Sequence, residues 1–116
     1  MTCGKKIYLA CPYSDDNDDI MWGRFWQVNR VAGELMKRGY VVFSPISMTH
    51  PIAGVCSLPG TWDFWKLQDL PFLDWADELH VLCISGWDTS VGVTAEVEYF
   101  RAAGKPINYV DPEEIQ

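Results

Sequence analysis

Residues 86–106, GWDTSVGVTAEVEYFRAAGKP, bring together the side chains in this chain best placed to do chemistry. Thr89 or Ser90 suits the N-cap of a helix, Gly92 lets a ligand or a neighbouring backbone approach closely, and Glu96 falls in the second turn. Unpaired N–H groups and the dipole at a helix start favour negative charge, which keeps a nucleophilic carboxylate ionised and also attracts phosphate. A solvated helix acid has the same appearance, for Glu96 and Glu98 alike. Asp69, Asp77 and Asp88 supply further carboxylates. Glycosidic cleavage asks for two such groups, one attacking the anomeric carbon and one protonating the leaving group. With 16 acidic side chains in 116 residues, each of those aspartates equally suits a helix end or a turn.

The other chemistry-bearing residues are more scattered. His50, in SMTHP, and His80 stand too far from other ligand types to make a metal site, so no metal is expected. DDNDD superficially resembles a calcium loop, yet Ile20 stands where that loop needs glycine and Trp26 where it needs its bidentate glutamate. Trp62 and Trp65 lie one helical turn apart and suit a pocket wall or an interface, while Trp87 sits in a polar turn. Phosphate-loop, dinucleotide and nucleophile-elbow motifs are absent.

These residues need elements to hold them. The run KIYLAC (6–11) stops at Pro12 and predicts a strand buried on both faces. Apolar residues recur at helical spacing from about Ile20 to Arg38, before Gly39. YVVFS (40–44) predicts a second strand, and PISMTHPIAGVCSLPG, with its prolines and glycines, a long loop. Thr61 suits the cap of a helix through WDFWKLQDLPFLDWADE that Pro71 should kink or split. LHVLCI (79–84) predicts strand three, residues 91–103 a helix stopped by Gly104, and PINYV strand four. Strands alternating with helices imply an α/β domain: a small doubly wound, Rossmann-like or flavodoxin-like parallel sheet of four to five strands with flanking helices. Ligands bind such sheets beyond the carboxyl ends of the strands, where the order reverses. That rim collects ACPYSDD, SPISMTHP and SGWDTSVG.

The length suits a single domain over 1–116. A net charge of -7 repels nucleic-acid backbones and anionic lipid, so neither partner is expected. No stretch is long and apolar enough for a membrane span or a secretory leader, which makes a cytoplasmic location the expectation. Cys3, Cys11, Cys56 and Cys83 are widely spaced and suit small buried hydrophobes or free thiols.

The pieces YLACPYS (8–14), FSPISMTHPI (43–52), W-x-x-W-x-x-x-D (62–69), FLDWAD (72–77) and GWDTSVGVTAE with GKPI (86–107) together resemble the nucleoside 2-deoxyribosyltransferase superfamily. More closely, they resemble its DUF1937 branch. The likeness spans nearly the whole chain, and Gly92, Glu96 and Gly104-Lys105-Pro106 carry its most specific spacing. The resemblance implies that Glu96 attacks C1′ of a deoxyribosyl group, that Tyr8 positions it, and that Asp69 hydrogen-bonds near the leaving base or sugar. Ser90 stands where the transferases often carry aspartate, as in the superfamily's deoxynucleoside 5′-monophosphate N-glycosidases, which hints at a phosphorylated substrate. Pro12, Ser14, His50 and Trp65 are the expected substrate contacts on one part of the rim, and Trp87, Asp88, Ser90 and Gly92 on the other. Arg24 is expected to neutralise phosphate charge.

The expected activity is N-glycosidic cleavage or deoxyribosyl transfer on a nucleoside or its 5′-monophosphate, with no cofactor. The alternatives are a module that binds or sequesters a nucleotide-type molecule without turnover, and an assembly subunit whose tryptophans make an interface. A homo-oligomer, dimer or tetramer, is expected, because sites of the superfamily are usually completed by a neighbouring subunit.

Overall fold

A computed structural model describes residues 4–115. Four strands, β1 (Lys6–Ala10), β2 (Val41–Phe43), β3 (Glu78–Leu82) and β4 (Ile107–Val110), form one parallel sheet in the order β2-β1-β3-β4. The helices are α1 (Asp18–Lys37), α2 (Pro45–Cys56), α3 (Trp62–Trp75) and α4 (Val91–Ala103). A 3-10 turn, Pro112–Glu114, follows β4. The chain begins mid-sheet, adds β2 on one side, then crosses β1 to lay down β3 and β4 on the other. Strand order therefore reverses between β1 and β3, which opens a crevice at their carboxyl ends.

Alternation along the strands builds two cores. Tyr8, Ala10, Leu79 and Val81 point to one face, where Leu73 of α3 and Val93, Val97 and Phe100 of α4 cover them. Leu9, Cys11 and Leu82 point to the other, against Val28, Val31, Ala32 and Leu35 of α1. The doubly wound α/β architecture is the one expected, with four strands.

Several expected boundaries need correction. The segment expected as a long loop contains α2. Pro45 sits at the start of that helix, where its missing N–H has no intrahelical partner to lose, and only Pro51 lies inside it. Burial of Pro45, Thr49 and His50, with Ile46 packed on the α1 core, supplies what helix propensity does not. Pro71 does not split α3, which runs continuously to Trp75. That helix also stops at Trp75, short of the expected Glu78: Ala76 is extended, and Asp77 N–H already donates to the Lys6 carbonyl at 2.8 Å. Thr61 is the N-cap residue of α3 by position but makes no side-chain cap bond. Helix α1 starts two residues earlier than expected, because Asn17 caps it by accepting from Asp19 N–H.

Cys11 is buried, Cys83 half-buried and Cys56 exposed, and all three are free thiols. Cys3 lies outside the described residues. Among the described residues no helix is long and apolar enough to cross a membrane.

Candidate active site

A cavity of about 640 Å³ opens at the strand-order reversal. Its floor and walls come from the loop after β1, the start of α2, the first two turns of α3 and the start of α4. Glu96 reaches it from the second turn of α4. That helix begins because Ser90, in extended conformation, accepts a hydrogen bond from Val93 N–H, and it ends at left-handed Gly104. Val93, Val97 and Phe100 bury the same stripe of α4, so Glu96 is carried inward with them and is only 5 % exposed.

Tyr8 lies on β1 behind Glu96 and is fully buried. Its hydroxyl donates to Glu96 Oε2, joining residues 88 apart in sequence. Burial, followed by the nearby Glu96 and Asp69 charges, raises the Tyr8 phenol well above its ordinary value, so it stays a donor. Asp69 comes from the third turn of α3 and is 6 % exposed; its Oδ1 is buried with no hydrogen-bond partner among the described residues. Burial lifts the Asp69 carboxyl to about 6, with the Tyr8 hydroxyl offsetting part of that rise. Burial lifts Glu96 further, to about 8; the Tyr8 hydroxyl opposes this and the Asp69 charge adds to it. The result is two buried carboxyls on one cavity, a phenol between them, and one carboxylate oxygen left without a protein partner.

Arg24 is the only Lys or Arg side chain among the residues lining the cavity. Its Nη1 donates to the Tyr13 and Ser14 carbonyls, both at 3.1 Å, and its Nη2 to the Ser85 carbonyl at 3.2 Å. It therefore ties the loop after β1 to the loop after β3. Gly86 makes room for it: φ is +95° there, and a Cβ would stand 2.6 Å from Arg24 Nη2. Gly86→Ala is expected to destabilise the fold by about 1–3 kcal/mol, from the left-handed backbone and the displaced guanidinium together. A denaturant midpoint unchanged from wild type would contradict this.

Of the other residues expected on the rim, Pro12, Ser14, Trp65, Ser90 and Gly92 line the cavity. The Ser14 hydroxyl is committed, donating to the Gly60 carbonyl at 2.8 Å, whereas Ser90 uses only a lone pair and keeps its proton to give. Trp65 is held by an indole N–H bond to the Pro59 carbonyl at 2.7 Å. His50, Trp87 and Asp88 do not line this cavity. Trp87 packs against Tyr109 of β4, with ring centroids 5.4 Å apart, and His50 belongs to a neighbouring hollow. Sequence reasoning missed Cys11 at the end of β1, Pro45, Ile46 and Thr49 of α2, and Asp63 of α3. For Cys11, Pro45 and Ile46 the place just after a strand could have signalled them; Thr49 and Asp63, inside α2 and α3, carried no such signal. Among the described residues no group of three His, Cys, Asp or Glu side chains is arranged to hold a metal ion.

No curated protein matches the chain significantly. Among solved structures, the fold is similar to a 2-deoxyribosyltransferase from the psychrotolerant bacterium Bacillus psychrosaccharolyticus. The TM-score is 0.59 at 25% identity, over 90% of this chain and 70% of that one. The model of a family described as a domain of unknown function, DUF1937, matches residues 5–111. Covering all four strands and α1 to α4, that match means that the chain belongs to the DUF1937 family.

Proposed function

We propose that this chain cleaves the N-glycosidic bond of a deoxynucleoside or its 5′-monophosphate, with Glu96 as nucleophile. The observation that carries this reading is the buried Glu96 carboxyl at the wall of the cavity, held by Tyr8 with Asp69 beside it. Similarity to a 2-deoxyribosyltransferase supports it.

In the first step a Glu96 oxygen bonds to C1′ as the bond from C1′ to the base nitrogen breaks, through an oxocarbenium-like state. The departing base takes a proton from Asp69. In the second step a water oxygen attacks C1′, gives its proton to Asp69, and releases Glu96 and the free sugar. A second base in place of water makes the overall reaction a transfer. Tyr8 orients the nucleophile, and the Asp69 carboxyl, one oxygen of which has no protein partner, is the group assigned to the leaving nitrogen. A 5′-phosphate would meet the Ser90 hydroxyl and the first N–H groups of α4, with Arg24 supplying the one positive charge.

The test is incubation with a panel of deoxynucleosides and their 5′-monophosphates, with free base followed by chromatography. Base release by wild type and none by Glu96→Ala is the expected result. Tight binding without turnover by either form would instead establish a binding module.

The assembly belongs to the same proposal. Trp26 on α1 is 66% exposed and Leu67 on α3 is 74% exposed, more large apolar surface than one small domain usually leaves open. A homo-oligomer in the cytoplasm is proposed, and light scattering giving a monomer mass would refute that assembly.

A further inference from the structure

A second hollow, of about 660 Å³, lies between the loop after β1 and helix α2. Tyr13, Ser14, Asp15 and Gly60 line both cavities, and the bond from Ser14 to the Gly60 carbonyl closes the partition between them. Neither Glu96, Asp69 nor any residue of α4 reaches the second hollow. His50, 8% exposed, is part of its lining. Its ring is packed by Trp22, centroid 4.6 Å away and edge-on, and by Phe25 at 4.5 Å. Its Nδ1 is bonded to the Tyr13 hydroxyl, and its Nε2 has no hydrogen-bond partner among the described residues.

The protonation pattern follows from that bond. Burial, followed by the Asp18 charge, raises the Tyr13 phenol, so it keeps its proton. A phenol donating to Nδ1 leaves the proton of a neutral imidazole on Nε2. The hollow thus has one imidazole N–H donor in its lining. Asp15 and Asp18 stand in the same wall as acceptors, and Trp22, half exposed, supplies a flat apolar face. The two carboxylates disfavour an anion. A purely aliphatic guest would leave the imidazole N–H unanswered. A flat ring with an acceptor in its plane and an N–H or amino group on its edge satisfies all three features.

We propose that the hollow around His50 is a second small-molecule site, walled off from the Glu96 cavity, for an uncharged heteroaromatic ring of the nucleobase type. It does not rest on the chemistry proposed at Glu96, and its readout is separate.

Adenine is the probe, titrated into labelled protein while the ring resonances of His50 are followed by NMR. The expected result is a saturable shift at His50, retained in Glu96→Gln. Trp22→Ala should weaken it about tenfold or more, because stacking is the main apolar contribution of such a site. Gly54→Leu should abolish it: a Cβ at Gly54 meets nothing within 4 Å, so the side chain grows into the hollow without strain in the helix. Undisturbed His80 resonances establish that each variant is folded. No saturable shift at millimolar adenine, or a shift that survives both substitutions, would overturn the proposal. A response to adenosine 5′-monophosphate as strong as to adenine would overturn the assigned ligand class.

Discussion

Glu96→Gln is expected to lose base release by at least about 10³-fold and yet to fold more stably than wild type at pH 8. The activity loss follows from removing the atom that bonds to C1′. The stability gain follows from burial. Glu96 in the folded chain titrates near 8 against an ordinary 4.5, with desolvation as the main cause. A carboxyl raised in this way contributes its full stability below about pH 4.5 and loses it progressively as pH rises through about 8, since the unfolded chain releases the proton first. Glutamine keeps an oxygen to accept from Tyr8 but has no proton to lose. Glu96 lines the cavity and is not sealed in the core, which lessens the cost of its charge, so the expected gain at pH 8 is on the order of 1–3 kcal/mol. It should fade toward pH 4.5. Denaturant midpoints of the two proteins across pH 4 to 9 check it, and parallel curves would mean that Glu96 is not the buried group that the fold makes it.

That pairing of lost activity with gained stability explains what was and was not legible in the sequence. Strands β1 and β3 were readable because parallel strands covered on both faces are continuously apolar. Helix α4 was readable from its cap and its stop. The same helix also carried a signal about Glu96: with Val93, Val97 and Phe100 it shares one stripe, so an acid stands where the pattern asks for an apolar residue. Local rules disagree with the fold most often where function needs them to. Tyr8 gave no such signal, since tyrosine in an apolar strand is ordinary, and only the resemblance singled it out. Helix α2 was hidden by Pro45 and Pro51. Its existence depends on tertiary burial of Thr49 and His50, which no local pattern encodes. The expectation for His50 shifts with it: on a helix packed against α1 its ring meets Trp22 and Phe25 and bonds to Tyr13, so it stands beside the loop after β1 in the neighbouring hollow and not in the Glu96 cavity. Arg24 was expected to meet phosphate, and the structure adds a second task, three carbonyl bonds across two loops that no spacing could reveal.

The second large effect concerns Asp69 and pH. With Asp69 near 6 and Glu96 near 8, the pair holds one proton between those values. Below about 6 both carboxyls are protonated and no nucleophile exists; above about 8 both are ionised and no acid remains for the leaving base. Between those values the proton rests mostly on Glu96, and the competent arrangement, Glu96 ionised with Asp69 protonated, is the minor tautomer of that one-proton form; the two tautomers keep a fixed ratio, so kcat/KM should be bell-shaped with limbs near 6 and 8. Asp69→Asn is expected to lower the maximum by about 10²–10⁴-fold. It also removes the Asp69 charge that helps raise Glu96, so Glu96 should titrate somewhat below 8; its ionisation becomes the one limb left, an acid limb, and the alkaline limb should vanish. Leaving-group chemistry separates an acid from a merely positioning carboxylate. A 7-methylated purine deoxynucleoside departs as a neutral base without taking a proton, so Asp69→Asn should cleave it nearly as fast as wild type. If the variant is equally crippled on the methylated and unmethylated substrates, or if its alkaline limb persists, Asp69 does not carry the proton.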